Sequence, residues 1–320
     1  MNIFLTGGTG FLGSTLVSRL TGEKEVSKVV ALVRNPEKAR DLATRVESRE
    51  KLDFIHGDLL HHNYDFDNID VVIHLVWLHD PAMCENDSGA VFDTNIGGIQ
   101  RLVQALWKFR VPYFIFTSQR TVYGKQKTKP LHEDLAPKPN IVKGLVTYAG
   151  EVIIRTLADS PTRFSILRLT NMYGVSTLPS PKKTEIGMMD KFARASCTGG
   201  NLTIYGDGNQ RTHLIHVRDV CDCIYKLLSS SEEKWNETYN VAGDRDISIN
   251  ELAETYMKVA LEMKLKAPTK IYVETEHYLD RAGLASIWLD ISKVQKNLGW
   301  TPSISIEEGV KELIKANLDR

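Results

Sequence analysis

Glycines at positions 7, 10 and 13 in Thr6-Gly7-Gly8-Thr9-Gly10-Phe11-Leu12-Gly13 follow a short apolar run and open an amphipathic one. That context makes them a strand-to-helix turn built for a diphosphate. Gly7 permits the tight turn, Gly10 lets the backbone approach a pyrophosphate with no Cβ in the way, and Gly13 lets the helix pack closely. The helix start offers unpaired N–H groups and a partial positive charge to the anion. With Thr9, Phe11 and Leu12 between them, these glycines form the expected cradle of a dinucleotide. A carboxylate at the end of the second strand would accept hydrogen bonds from the ribose hydroxyls, whereas a cation there accommodates a 2′-phosphate. Arg34 occupies that place and Lys38 lies one helical turn further. NADP is therefore the expected coenzyme, with NAD the alternative.

These residues need a sheet behind them. Segments 3–6, 28–33, 52–56, 71–75, 113–117, 164–169 and 238–241 are short, rich in β-branched residues and apolar on both faces, the pattern of buried parallel strands. Helical spacing of apolar residues fills the gaps, for example over 13–20, 95–109 and 151–158. Strand and helix in alternation predict an α/β fold: a doubly wound, mostly parallel Rossmann sheet of about seven strands. After Leu169 the rhythm changes, with a polar loop over 179–183 before a helical stretch over 186–196. A smaller, interleaved α/β substrate domain is expected, made of 171–211 plus 246–320, beside a dinucleotide-binding domain of 1–170 plus 212–245. Segments 213–230 and 238–241 read as the return to the sheet. Ser248 with Glu251, and Ser305 with Glu308, have capping-box spacing and should start two late helices.

Composition narrows the partners. In a chain of 320 residues, 40 basic and 40 acidic side chains cancel, so no global field favours nucleic acid or an anionic membrane. Four cysteines are too few and scattered for a disulfide framework, and Cys221 and Cys223 read as packing residues. The apolar run 71–78 is interrupted by His74 and too short to span a bilayer, and the N-terminus lacks the basic flank of a signal peptide. A soluble, cytoplasmic protein is expected.

Several further blocks, in order, give the chain a resemblance to the extended short-chain dehydrogenase/reductase family, the NAD-dependent epimerase/dehydratase group that acts mostly on sugar nucleotides. They are His56-Gly57-Asp58-Leu59, Val72-Ile73-His74-Leu75, Asn95-Ile96-Gly97-Gly98 and Val122-Tyr123-Gly124. Leu167 to Gly174, Ile204 to Gly208, Leu289 to Lys293 and Leu298 to Pro302 continue the match. The resemblance implies that Asp58 contacts adenine and that Leu59, Leu75, Asn95 and Thr117 belong to the coenzyme site. It implies a nucleoside-diphosphate sugar as substrate, with Asn171, Arg211 and Arg281 holding the diphosphate, and a homodimer built on the helices around 95–109 and 151–158.

The family's catalytic set is Tyr-x-x-x-Lys plus a Ser or Thr four residues before the Tyr of Val-Tyr-Gly. That hydroxyl position is Gln119 here, with Ser118 next to it. If Tyr148 is the base, Val152 stands at the Lys place. A lone phenol would then need its pKa brought from about 10 to near 7, roughly 4 kcal/mol. The other register keeps Gly144 and Glu151 at their familiar places but puts Lys143 at the Tyr position and Thr147 at the Lys position. Tyr123 and Lys127 have the right spacing, but Tyr123 belongs to the Val-Tyr-Gly turn. Ser118, Lys143 and Tyr148 are the catalytic candidates. Two readings follow: an enzyme with a rebuilt acid/base group, or a dinucleotide-binding protein without redox turnover. Among other residues, His56, Asp58, His61 and His62 read as a solvated loop more than a metal cluster, His74 as a hydrogen-bonded core residue, and Trp77 and His79 as candidates to line the pocket.

Overall fold

The computed structural model describes residues 1–78, 87–126, 129–178, 187–274 and 287–319. Its strands are β1 (Asn2–Thr6), β2 (Lys28–Val33), β3 (Leu52–His56), β4 (Val71–His74), β5 (Tyr113–Gln119), β6 (Arg163–Leu169), β7 (Asn171–Tyr173), β8 (Asn201–Tyr205), β9 (Arg211–His216), β10 (Glu237–Val241), β11 (Asp246–Ser248) and β12 (Thr269–Val273). Among its helices are α1 (Phe11–Thr21), α2 (Pro36–Arg45), α3 (Ser88–Phe92), α4 (Gly98–Phe109), α5 (Val142–Arg155), α6 (Met188–Thr198), α7 (Val217–Leu228), α8 (Ile249–Glu262), α9 (Ser292–Leu298) and α10 (Ile306–Leu318).

Seven strands form one parallel sheet in the order β10-β6-β5-β4-β1-β2-β3. Side chains alternate across a strand, so each strand feeds two layers. Ile3 and Leu5 pack with Leu16 and Leu20 of α1 and Val220 and Ile224 of α7, while Phe4 packs with Leu102 and Leu106 of α4 on the other face. Strands apolar on both faces are what such a doubly covered sheet requires. A three-stranded sheet, β11-β9-β7, and the parallel pair β12-β8 lie outside it. Their core includes Phe192, Leu202, Leu252 and Tyr256.

All seven expected strands join the main sheet, and both capping boxes form, at Ser248 and Ser305. Three boundaries differ. The helix expected from Asn95 is regular only from Gly98, and Asn95 sits in a π-helical turn over 93–97. The helix expected from Glu151 begins at Val142, because Gly144 and Gly150 weaken the local helical signal while permitting close packing. Segment 213–230 returns only in part: β9 pairs with β7 and β11, and it is α7 that comes back to pack on α1. Among the described residues no helix is long and apolar enough to cross a membrane.

Candidate active site

A cleft of about 1150 Å³ opens at the C-terminal ends of β1, β2, β4 and β5, where ligands of open α/β sheets bind. At one end lies the glycine turn. Gly7 has φ +80°, Gly10 N–H donates to the Gly7 carbonyl at 2.9 Å, and a Cβ on Gly13 would overlap that same carbonyl. Gly13 is therefore required by the loop folding back on itself. The N–H groups at the start of α1 have no intrahelical acceptor and face this cradle. Thr9, Phe11 and Leu12 line the cleft with the glycines.

Arg34, Asn35 and Lys38 form the neighbouring wall, and Asn35 caps α2 by accepting from the N–H groups of Glu37 and Lys38. Asp58 and Leu59 line the cleft after β3. Asp58 Oδ1 accepts from Leu60 N–H at 2.8 Å and pairs with His61 at 3.1 Å. Partial burial works to raise the Asp58 pKa, but these hydrogen bonds outweigh it and the carboxyl sits below its ordinary value. The neighbouring histidines turn elsewhere: His56 meets the Arg34 carbonyl and His62 packs on Tyr64.

The floor is locked from behind. His74 is fully buried, its Nδ1 is 2.7 Å from Thr6 Oγ1, and burial pushes its pKa down to about 3. Thr117 donates to the His74 carbonyl, and the Trp77 indole donates to the Thr117 carbonyl at 2.6 Å. Leu75, Trp77 and Thr117 all line the cleft. Asn95 does not. It stands behind the wall, accepting from Leu78 N–H at 2.9 Å and donating to Leu78 O at 2.8 Å, so it fixes the loop after β4. His79, in the same loop, lies outside the described residues.

At the far end the two catalytic registers separate. Lys143, in the first turn of α5, lines the cleft, and a Cβ on the next residue, Gly144, would come within 2.5 Å of the Thr121 carbonyl. The turn after β5 and the start of α5 are thus in close contact. Five residues along a helix rotate by about 140°, and Tyr148 accordingly packs against the cluster that includes Val122, Tyr123, Leu131 and Leu289 and does not line the cleft. Thr147 is buried and donates to the Lys143 carbonyl at 2.8 Å. Ser118 lines the cleft but is buried, and its hydroxyl donates to Glu151. Glu151 in turn accepts two bonds from Arg168, at 3.0 and 2.8 Å, and Arg168 stacks on Tyr123. Ser118 therefore belongs to the network that fixes α5 against β5 and β6.

Asn171 lines the cleft and donates to Thr212 at 3.1 Å. Arg211 stands off it, its guanidinium bound to Asp246 at 2.8 Å and to Glu251 at 3.2 Å, because the β9–β11 pairing brings these acids alongside it. Arg281 lies outside the described residues. Sequence reasoning missed Arg120, which lines the cleft beside Gln119 and whose Nε donates to Asn171 Oδ1 at 3.2 Å. Its signal was a cation just past the C-terminal end of a central strand. Among the described residues no group of three metal-binding side chains comes together.

Comparison with known proteins agrees with this geometry. The family model described as "NAD dependent epimerase/dehydratase family" matches residues 3–242. A putative UDP-glucose 4-epimerase of Methanocaldococcus jannaschii is 27% identical over 98% of this chain and 97% of its own. A dTDP-glucose 4,6-dehydratase of Streptomyces niveus is 27% identical over 98% and 92%. The structure of UDP-glucuronic acid 4-epimerase from Bacillus cereus, in complex with UDP-glucuronic acid and NAD, superposes with a TM-score of 0.83 at 25% identity over 99% of both chains. A family model spanning three quarters of the sequence, on a glycine cradle and sheet order of this kind, leads to one assignment: the chain belongs to the NAD dependent epimerase/dehydratase family.

Proposed function

We propose that this chain is an NAD(P)-dependent epimerase, dehydratase or reductase acting on a sugar nucleotide, with Lys143 as its proton carrier. The observation that carries this reading is the convergence of Lys143 and the glycine cradle on one cleft, while Tyr148 faces away. The printed names of the relatives, which include a UDP-glucose epimerase and a dTDP-glucose dehydratase, support the substrate class.

The residues present fit the coenzyme, since the overlap that a Cβ on Gly13 would create marks a turn shaped for backbone amides. Gly7, Thr9, Gly10, Phe11, Leu12 and Gly13 would hold the pyrophosphate, Asp58 and Leu59 the adenine end, and Leu75 and Thr117 the nicotinamide end, with Asn95 bracing the loop between them. The bound coenzyme supplies a reversible two-electron acceptor. Lys143 removes a substrate hydroxyl proton and returns it, which requires the amine to be neutral for part of the cycle. Asn171 faces the substrate, and Ser118 with Glu151 fixes the wall that carries Lys143. Lys143→Met and Tyr148→Phe separate the registers. The first should lower kcat at least about a hundredfold, and the second should leave it within a few-fold; the reverse order would overturn the reading.

NADP is the preferred coenzyme in this proposal. Arg34 and Lys38 line the cleft after β2, and neither Asp nor Glu from that strand end does so. NADPH should bind more tightly than NADH, and Arg34→Ala should weaken NADPH selectively; tighter binding of NADH by the parent chain would reverse the assignment.

A homodimer is proposed on the exposed apolar side chains Trp107, Leu145 and Val152 of α4 and α5, and a monomer in sedimentation at micromolar concentration would contradict it. A coenzyme unit of 1–170 plus 212–245 and a substrate unit of 171–211 plus 246–320 are also proposed; the core around Phe192, Leu202, Leu252 and Tyr256 supports the second unit, while Val294 and Trp300 pack into the core of the main sheet. Among the described residues three cysteines are free, two of them deeply buried, which suits the reducing cytoplasm proposed as its location.

A further inference from the structure

We infer that Arg120 is the receptor for a carboxylate carried by the sugar, so that the substrate is a nucleotide-linked acidic sugar such as a hexuronate. This inference rests on the proposed sugar-nucleotide reading and narrows it.

Four observations lead there. Arg120 sits immediately after β5, on the wall that Thr121 and Gly144 close, so it enters the cleft beside Lys143. Its Nε is engaged by the neutral Asn171 amide, and among the described residues neither terminal nitrogen of the fork has a partner. The acids of the flanking elements are already taken, Glu151 by Arg168 and Asp246 by Arg211. Burial lowers the Arg120 pKa to about 10, and among the described residues no carboxylate is near enough to hold it up.

A guanidinium in a cleft whose two terminal nitrogens are unused among the described residues is a fork for a planar, two-oxygen acceptor. Among the described residues nothing meets this charge, and leaving it unmet in a partly desolvated wall is unfavourable, which favours a ligand as its partner. The coenzyme diphosphate is poorly placed for this. Its cradle follows β1, two strands from β5 in the order β5-β4-β1, or about 10 Å at the usual strand spacing. The reacting end of the substrate, beside Lys143, is close. A carboxylate one or two carbons from the reacting carbon would reach Arg120 while its hydroxyl faces Lys143.

The test measures binding to the coenzyme-loaded protein by calorimetry with UDP, UDP-glucose and UDP-glucuronate, and with dTDP, dTDP-glucose and dTDP-glucuronate. At least tenfold tighter binding of one glucuronate over its matching glucose, lost in Arg120→Gln and partly kept in Arg120→Lys, is the expected result. Equal binding of the two sugars, or a preference that survives Arg120→Gln, overturns the acidic-sugar inference and leaves the sugar-nucleotide reading standing. A loss in Arg120→Gln that is the same for the bare diphosphate as for its sugars also overturns it, placing Arg120 on the diphosphate. Failure of all six ligands to bind would remove the sugar-nucleotide reading and this inference together.

Discussion

Glu151 and Arg168 test whether the wall that carries Lys143 is held by a buried ion pair. Glu151 has no exposed surface and Arg168 only 2%, and their two contacts, at 3.0 and 2.8 Å, form a bidentate fork. Ser118 donates to the same carboxylate, and the guanidinium lies 4.7 Å over the Tyr123 ring. Glu151→Leu removes the acceptor for three donors and leaves a positive charge in the interior, a loss of about 3–5 kcal/mol. Relative to the total stability of an ordinary domain, about 5–15 kcal/mol, that is severe. Removing both partners in Glu151→Leu/Arg168→Met takes away the stranded charge and keeps the volume, so the double variant should recover at least about 2 kcal/mol over the single one. Part of the loss remains, because Ser118 is left without its acceptor. Urea denaturation followed by the fluorescence of the five tryptophans would show the single variant's midpoint lowered by about 1–2 M at unchanged slope. A cost below about 1 kcal/mol for Glu151→Leu, or a double variant no more stable than the single, would refute the account of this wall as an ion-paired clamp.

Three other outcomes follow from local geometry. Gly13→Ala drives a methyl into the Gly7 carbonyl, so the turn must move; a stability loss of about 1–3 kcal/mol and at least tenfold weaker coenzyme binding are expected in a fluorescence titration. Gly144→Ala pushes the start of α5 off the Thr121 carbonyl, and should lower kcat more than it weakens coenzyme binding, as steady-state kinetics with a separate coenzyme titration would show. His74 is neutral in the fold, with a pKa near 3, whereas the unfolded chain takes up its proton below about pH 6.5. Between these values the unfolded state binds more protons, so stability falls as pH drops, by up to about 1.4 kcal/mol per pH unit for this group. Denaturation midpoints of the parent chain and His74→Gln from pH 7.5 to 5 should therefore diverge on the acid side, the parent falling faster.

The sequence alone determined the glycine turn after β1, the seven central strands and the two late helix starts. Each of these is a local property. A glycine at φ +80°, a strand apolar on both faces and a Ser–Glu capping pair depend on a few consecutive residues and the backbone they favour. Only the tertiary structure brings Lys143 to the cleft and turns Tyr148 away from it, since the direction α5 faces depends on Gly144 meeting a turn more than twenty positions earlier. The same holds for Arg211, held by Asp246 and Glu251, and for Arg120, which has no carboxylate partner among the described residues while Glu151 and Asp246 are paired with other arginines. Spacing in the chain records backbone preferences, but the partner of a charge or the face of a helix is fixed by residues brought near through folding.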